Sequence, residues 1–345
     1  MPDGVKPMNS SQRSSTALKP GAKNALAALF LLLAALANIC FGATWLAPAK
    51  LWAALISGPG DSAAARILWF ARLPRTAACL LAGAGLAVSG AVIQKVLANS
   101  LASPGIIGVN AGAGLGVALC CAFGAYSAWA ITGASFIGAM AATFLVVVAG
   151  RKSGASRTTV ILGGVAVSTC LNAVTQAITT LLPDAALASA DFRVGGFSAV
   201  NQARLLPAVI LIVLGVIVVC TLTNELDLLS LGDETAHALG MRVGAMRTLL
   251  LTLAALLAGA SVSFAGILGF VGLIVPHISR RLIGNESGTL LPFTALLGAG
   301  FVAACDLIAR LVFAPYELPT GILLSFLGGP FFIWLLLKRK GKKPA

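Results

Sequence analysis

The sequence predicts an all-α membrane protein with about ten transmembrane helices. Of its 345 residues, 58% are hydrophobic and only 10% are charged, whereas about a quarter of the residues in a typical soluble domain are charged. Apolar stretches of about 20 residues, the length that crosses a bilayer, recur along the chain. The 38 glycines are typical of helices that pack closely within a membrane. This composition argues against a soluble enzyme and against a disordered chain.

The chain begins with a polar segment, residues 1–24, which we expect to be a disordered cytoplasmic tail. The apolar stretch after it is longer than the about 7–15 residues of a signal peptide, so it predicts an uncleaved first span. The eighth predicted span is short and contains Pro276. Residues 25–337 are expected to form one transmembrane domain, and 338–345 a basic cytoplasmic tail. The predicted spans are 25–47, 74–96, 105–125, 129–150, 158–182, 206–223, 246–265, 268–283, 290–312 and 319–337.

The distribution of basic residues predicts the topology. An even number of spans places both termini on one side, and most of the 24 Lys and Arg residues fall on that side. Short loops rich in Lys and Arg stay in the cytoplasm, so both termini are expected there. The net charge of +13 is therefore mainly a topology signal, and no motif indicates nucleic-acid binding.

Three arginines in the first external loop, Arg66, Arg72 and Arg75, break this trend, with only Asp61 beside them. Basic residues that remain on the outer side, against the usual trend, indicate that they have a function there. One interpretation is contact with lipid headgroups or capping of helices, and the other is a docking site for an acidic partner. The loop sequence alone leaves both open.

Two segments indicate an internal repeat. Leu80–Gly90 reads LLAGAGLAVSG and Leu256–Gly266 reads LLAGASVSFAG, with the first five residues identical. They lie in the second and seventh spans, which run in opposite directions. An inverted repeat of this kind is common in membrane transporters, although chance identity is the alternative in a chain rich in Leu, Ala and Gly.

Ionisable residues inside the predicted spans are few, namely His277, Asp306 and Arg310. Asp306 and Arg310 are four residues apart and can pair on one helix face, as a structural or a functional pair. His277 is expected to be structural rather than a ligand. Because ion-coupled carriers usually place carboxylates or His in mid-membrane, the energy source is expected to lie outside this chain.

Motifs for ATP binding and for intramembrane catalysis are missing from the sequence. The chain has no G-x-x-x-x-G-K-[ST] loop and no H-E-x-x-H motif. Its seven cysteines include no C-x-x-C pair, so neither metal ligands nor disulfides are expected. Gly58–Asp61 resembles the G-x-G-D of intramembrane aspartyl proteases, but no second Asp lies at membrane depth to share the site.

The longest predicted cytoplasmic segment between spans covers residues 224–245. It mixes acidic and apolar residues, and Gly232 and Gly240 divide it into short predicted helices. Two interpretations remain open for it: a docking segment for a soluble partner, or an ordinary solvated loop.

Seven motifs together resemble the FecCD/BtuC-type permease subunits of ABC importers, which carry iron–siderophore, haem or cobalamin. The resemblance covers residues 25–337, and the motif at 269–277 is the most specific. The motifs are RLPR (72–75), GAVIQ (90–94), LASPGIIG (101–108), AHALG (236–240), GFVGLIVPH (269–277) with Arg280, ELPTG (317–321) and GPFF (329–332).

This resemblance implies a type II ABC importer transmembrane domain of ten helices with an inverted repeat, in the cytoplasmic (inner) membrane. Such a subunit pairs with a second permease copy or a close paralogue. It binds no cofactor itself, because ATP and Mg are held by two partner ATPase subunits. An extracytoplasmic substrate-binding protein delivers a metal chelate, and the fifth and tenth spans largely line the pathway.

The resemblance also implies roles for individual residues, with no catalytic residue and no metal ligand among them. The segment that would enter a groove of the ATPase consists of Asp233, Glu234, Ala236, His237, Leu239, Gly240 and Arg242. The external arginines that would pair with glutamates of the binding protein are Arg72, Arg75 and Arg310. The structural motif residues are Gly90, Gln94, Pro104, Gly108, Gly272, Pro276, His277, Arg280, Glu317, Pro319, Gly329 and Pro330.

Two departures from the family pattern stand out. The usual Asn-Pro-Leu-Ala is Asn99-Ser100-Leu101-Ala102 here, which should relax the turn after the second span without abolishing it. Phe192 stands ahead of Gly195-Gly196 where the family often has Trp, so this loop gives no inference about the ligand.

The expected function is therefore ATP-driven import of a ferric siderophore through a gated conduit that performs no covalent chemistry. Haem or cobalamin import is the alternative within the same class. An ion-coupled secondary carrier and an intramembrane enzyme are the alternatives from other classes.

Overall fold

The structure, a computed structural model, describes residues 20–42, 47–60, 62–152, 157–200 and 202–339. Within these ranges every regular element is helical. A π-helical turn, Ile67–Arg72, precedes α4, and a 3-10 turn, Pro104–Ile107, precedes α5. The α-helices are α1 Pro20–Cys40, α2 Pro48–Ser57, α3 Ala63–Arg66, α4 Leu73–Val96, α5 Val109–Ala122, α6 Ala128–Lys152, α7 Arg157–Leu181, α8 Pro183–Val194, α9 Gln202–Thr221, α10 Thr223–Ser230, α11 Asp233–Ala238, α12 Val243–Ala265, α13 Val271–Ile283, α14 Ser287–Val312 and α15 Thr320–Arg339.

Each of the ten predicted spans corresponds to one of these helices. Six helical segments are long and apolar enough to cross a membrane, and a seventh is obtained if α9 and α10, bent by 60°, count as one span. The helices α5 and α15 are apolar but shorter. The predicted eighth span is the 13-residue α13, with Pro276 inside it.

The first helix begins earlier than predicted, at Pro20 rather than at residue 25. Proline fits the first turn of a helix, where its missing N–H would have no partner. The Lys23 Nζ then donates a hydrogen bond to the carbonyl of Leu282, 2.6 Å away. Residues 20–24 are therefore helical, while the rest of the predicted N-terminal tail and residues 340–345 of the C-terminal tail lie outside the described residues.

The two repeat segments pack against each other in opposite directions. Ser89 in α4 donates to the carbonyl of Ala254 in α12 at 2.6 Å. A Cβ added at Gly85 would lie 2.4 Å from the Ser261 hydroxyl. Since the later residue of α4 meets the earlier residue of α12, the helices are antiparallel, as an inverted repeat requires.

Four of the predicted motif residues meet where α4 contacts α13. Gln94 donates from its amide to the Gly272 carbonyl at 3.0 Å. A Cβ at Gly90 would lie only 1.9 Å from that carbonyl oxygen, and one at Gly272 would lie 3.0 Å from Pro104. The backbones approach so closely that only glycine fits. These widely separated motifs therefore specify one helix crossing.

The turn after α4 forms without the usual proline, as predicted. The Asn99 side-chain oxygen accepts a hydrogen bond from the Leu101 N–H at 2.9 Å, and the Asn99 backbone carbonyl accepts one from the Ala102 N–H at 3.1 Å. This local Asx turn supplies the geometry. Gly108 follows with φ +88° and begins α5 in a left-handed conformation.

Short helices occupy a segment that the sequence analysis treated as the first external loop. The helices α2 and α3 and the π-helical turn bury a small apolar cluster of Leu51, Ala54, Ala65 and Leu68. The indole N–H of Trp69 also donates to the Ala54 carbonyl at 3.1 Å. Elements this short give little periodic signal. Asp61, and with it the end of the G-x-G-D match, lies outside the described residues.

Candidate functional site

The two ends of the helix bundle contain different parts of the chain. The start of α1 contacts the end of α13 through Lys23 and Leu282. The end of α15 contacts the same region, where the Arg281 guanidinium lies 5.2 Å from the Trp334 ring centre. Both described ends of the chain thus lie on one face, with α10 and α11. We call this the α10–α11 face and the other the opposite face.

On the opposite face, Asp306 in α14 is the centre of a buried polar cluster. Its carboxylate is fully buried and accepts from the Arg75 guanidinium at 3.0 to 3.3 Å. Thr320 donates to it at 2.9 Å, and the Arg310 Nε lies 3.2 Å from it. The expected pairing of Asp306 with Arg310 is confirmed. A buried carboxylate is tolerated here because cations and a hydroxyl surround it.

Asn38 and Arg72 extend this cluster to α1. The Asn38 carbonyl oxygen Oδ1 accepts from Thr76 at 3.1 Å and from Arg310 at 2.8 Å. Arg72 donates to the carbonyls of Ile39 and Cys40 at 2.7 and 2.8 Å. These are carbonyls of the last turn of α1, which lack partners within the helix, so Arg72 caps it. Capping was one interpretation of the loop arginines.

The three predicted docking arginines therefore lie together in this cluster. Arg72 and Arg310 are only 4% exposed. Arg75 is more accessible, and its Nη1 forms a 2.7 Å ion pair with the half-exposed Glu317. Of the three, Arg75 is the most accessible to an acidic partner, with its side chain 13% exposed. The docking role itself stays a prediction.

On the α10–α11 face, the predicted ATPase-contacting segment forms α11 and the turn after it. Leu239 is 61% exposed, and Glu234, His237, Gly240 and Arg242 are exposed as well. Gly240 has φ +86°, with open space where a side chain would be. Ala236 differs, because it is fully buried. It lies on the inner side of α11 and anchors the segment, and its role in the predicted coupling segment stays a prediction.

Asp233, the first residue of α11, ties this segment to two membrane helices. Arg247 of α12 donates to both of its oxygens at 2.7 Å, and Arg157 of α7 donates at 2.9 Å. Arg157 also donates to the Leu229 carbonyl at the end of α10. Partial burial alone raises the pKa of Asp233, but the two arginines outweigh burial and hold that pKa below the usual carboxyl value.

A second anchor, which the sequence analysis missed, joins Asp227 of α10 to Lys95 of α4 and Ser287 of α14. The Lys95 ammonium donates to the Asp227 carboxylate, to the Asn285 carbonyl and to the Ser287 hydroxyl. Partial burial alone raises the pKa of Asp227, but hydrogen bonds from Lys95 and Ser287 outweigh it and lower that pKa. The available signal was a lysine in the last turn of an otherwise apolar helix.

The loop with Phe192 and the two glycines lies at a junction of α8, α12 and α15. Gly196 donates to the Ala265 carbonyl at 2.8 Å, and Ile267 donates to the Phe192 carbonyl at 2.9 Å. A cavity of about 230 Å³ opens here, lined in part by Asp191, Phe192 and Pro319. The predicted motif residue Pro319 therefore forms part of the cavity wall on the opposite face, close to Glu317 in the chain.

The remaining motif residues lie where α13 meets α15. The His277 and Phe331 rings are in edge-to-face contact, with centres 5.8 Å apart. His277 follows Pro276, and Phe331 follows Pro330, so both rings are placed by motif residues. Arg280 is one turn further along α13 and partly buried. Gly329 leaves open space where a Cβ would be.

This fold, with apolar helices long enough to cross a membrane, ion pairs at both ends of the bundle and glycine-mediated packing, is that of a multi-pass membrane protein. The chain belongs to the FecCD transport family, whose profile matches residues 29–338. It is an ABC importer permease of this family, and the resemblance inferred from its motifs is confirmed.

Relatives support this assignment along nearly the whole chain. The chain is 37% identical to a vitamin B12 import system permease protein of Salmonella paratyphi A, over 90% of this chain and 93% of that protein. It is 35% identical to the protein of the same name from Klebsiella pneumoniae, over 91% and 93%. A solved structure, described as an inward-facing conformation of a metal-chelate type ABC transporter, matches 92% of this chain and 99% of its own with TM-score 0.80 and 29% identity.

Proposed function

We propose that this chain is the membrane-spanning subunit of an importer in which partner ATPase subunits bind the α10–α11 face. The observation that carries the proposal is the exposed α11 turn, which ends in Leu239 and Gly240 and is anchored to the membrane helices behind it. This face contains both described ends of the chain. Because the distribution of Lys and Arg predicts both termini in the cytoplasm, we place this face there.

In this proposal a second permease copy, or a close paralogue, completes the conduit. The helix α7 supports it, because little of its apolar stretch is buried within the chain, as is also true of α1, whereas most of the segment that contains α4 is buried. A central helix is covered by its own subunit, whereas α7 needs lipid or a partner. The ligand would pass between the two copies, with α7 and α15 lining the pathway.

The mechanism is alternating access without covalent chemistry in this subunit. ATP with Mg binds to the partner ATPases, and the α10–α11 face conveys their movement to the helices. ATP can shift the conduit only if the ATPase binds its two states with different affinity. A substrate-binding protein on the opposite face delivers the ligand near Arg75 and the cavity beside Phe192. Charge pairs at such a docking site mainly set orientation and association rate.

We propose a metal chelate as the ligand. The curated relatives named above are vitamin B12 import permeases, which favours cobalamin. A ferric siderophore, expected from the sequence, is the second candidate, and the metal-chelate type transporter with the same fold supports either. Selectivity in such importers rests mostly on the binding protein, so the two candidates share one permease mechanism.

The test is uptake into vesicles that contain the permease, its ATPase and its binding protein. We expect ATP-dependent uptake that survives collapse of the proton gradient, for labelled cobalamin or for a labelled ferric siderophore. Uptake that disappears with the proton gradient would instead identify an ion-coupled secondary carrier. ATP-dependent uptake of neither chelate would overturn the proposed ligand class.

A further inference from the structure

Asp227 connects three parts of the molecule that are far apart in the chain. It lies in α10 and accepts hydrogen bonds from the Ser287 hydroxyl at 2.8 Å and from the Ser287 N–H at 3.0 Å. It also forms an ion pair with Lys95 in the last turn of α4. Lys95 in turn donates to the Ser287 hydroxyl at 2.6 Å. We call this set of Lys95, Asp227 and Ser287 the α10 latch.

The latch satisfies two helix ends at once. Ser287 is the first residue of α14, and the preceding Glu286 makes no side-chain cap, so Asp227 supplies the acceptor that the first turn lacks. A carboxylate at the start of α14 and an ammonium at the end of α4 both match the helix dipoles. Moving α10 away would remove the cap of one helix and the charge partner of the other.

Burial within the latch is uneven. Lys95 is 8% exposed and Ser287 is fully buried, whereas the Asp227 side chain is 37% exposed. The two partners on the membrane helices are therefore fixed in the packed interior. The acid lies on the short surface helix and is the most accessible member of the latch.

Asp233 provides the parallel contact on the other side of the segment, to α7 and α12. The two acids are six positions apart, and together they contact four different membrane helices. We propose that Asp227 is a positioning residue through which movement of α10 and α11 reaches α4 and α14, while Asp233 transmits it to α7 and α12. This inference rests on the proposed function, because it assumes that an ATPase moves the segment.

The test compares Asp227→Asn and Lys95→Gln with the unmodified permease in complex with its ATPase and binding protein. Transport per ATP hydrolysed is expected to fall about fivefold or more, the size of an ordinary coupling between sites. Hydrogen exchange of the same complexes, with and without a non-hydrolysable ATP analogue, gives the decisive readout. We expect the nucleotide-dependent change to vanish at the end of α4 and the start of α14, yet to persist at the starts of α7 and α12.

The matched control is Glu225→Gln, which removes an acid from α10 two residues before Asp227. The buried oxygen of Glu225 has no hydrogen-bond partner, so this variant should couple normally. If Asp227→Asn fails to assemble with the ATPase, Lys95→Gln decides, since it leaves Asp227 bonded to Ser287.

The outcomes separate the latch from the function it rests on. Normal coupling in Lys95→Gln, with the exchange change intact at α4 and α14, would overturn the latch alone. Loss of the exchange change at all four helices would also overturn it, by indicating a general structural defect. Absence of ATP-driven uptake in the unmodified complex would overturn the proposed function, and the latch with it.

Discussion

The polar clusters at the two ends of α4 both pair acidic with basic residues, but the acids differ in how deeply they are buried. Arg75 and Lys95 lie about 30 Å apart along this helix at 1.5 Å per residue. At one end, Asp306 is fully buried among Arg75, Arg310 and Thr320. At the other, Asp227 and Asp233 are partly exposed and lie on the short helices α10 and α11. The first cluster holds membrane helices together, whereas the second attaches short surface helices to them and, in the proposed mechanism, transmits their movement.

The largest expected effect comes from breaking the buried cluster. Asp306→Asn would leave Arg75 and Arg310 with an uncompensated positive charge, at a cost of about 3–5 kcal/mol. The measurement is the free energy of unfolding in detergent. Glu317→Gln is the control, because it removes a half-exposed partner of the same Arg75 and should cost less than about 1 kcal/mol. Equal effects of the two variants would show that the cluster is not the rigid end of the bundle.

The next effect concerns the α10–α11 face. Gly240→Trp should leave folding intact but reduce transport per ATP by about fivefold or more, because a large side chain would project where the ATPase is proposed to bind. Gly240→Ala is the control, since it introduces the strain of an L-residue at φ +86° without the bulk. Normal coupled uptake in Gly240→Trp would count against ATPase contact at this turn.

Docking at the opposite face is expected to depend on Arg75 rather than on the more deeply buried arginines. Arg75→Gln should weaken binding-protein affinity about tenfold at low salt and less at high salt. Glu317→Gln should strengthen binding slightly by releasing Arg75. Arg66→Gln, at an exposed external arginine outside the predicted docking set, serves as the control. An unchanged affinity of Arg75→Gln at low salt would refute the docking role.

The smallest expected effect is that of pH on the contacts of the α10–α11 face. Because the pKa values of Asp227 and Asp233 are lowered in the folded protein, both contacts are fully present above the usual carboxyl pKa of about 3.9. They are lost only as pH falls through the still lower folded values. Hydrogen exchange at the start of α14 should therefore be constant from about pH 8 to 5, apart from the intrinsic rate. Loosening near pH 6 would show that another group controls the latch.

The sequence predicted the spans well because most of them are long apolar stretches, and it predicted the Asp306–Arg310 pair because the partners are four positions apart on one helix. It missed the short helix α8, which lacks a periodic pattern. It also missed the distant basic partners of Asp306 and Asp227. Arg75 and Lys95 lie 231 and 132 residues from those acids, so only the packed helices bring them together.

The placement of individual contact residues was less predictable for the same reason. A motif identifies a segment but not the side of it that faces the bundle. Ala236 lies within the predicted contact segment and is nevertheless buried, and Arg72, predicted to lie in an external loop, belongs to a π-helical turn and caps α1. In both cases the direction of the side chain depends on neighbours far away in sequence.

Reconstitution of the purified permease in liposomes, with and without its ATPase, tests the proposed mechanism most directly. We expect accumulation of the chelate only when the ATPase and ATP are present, with the binding protein on the opposite side and no requirement for an ion gradient. Accumulation by the permease alone, driven by a proton or sodium gradient, would contradict it.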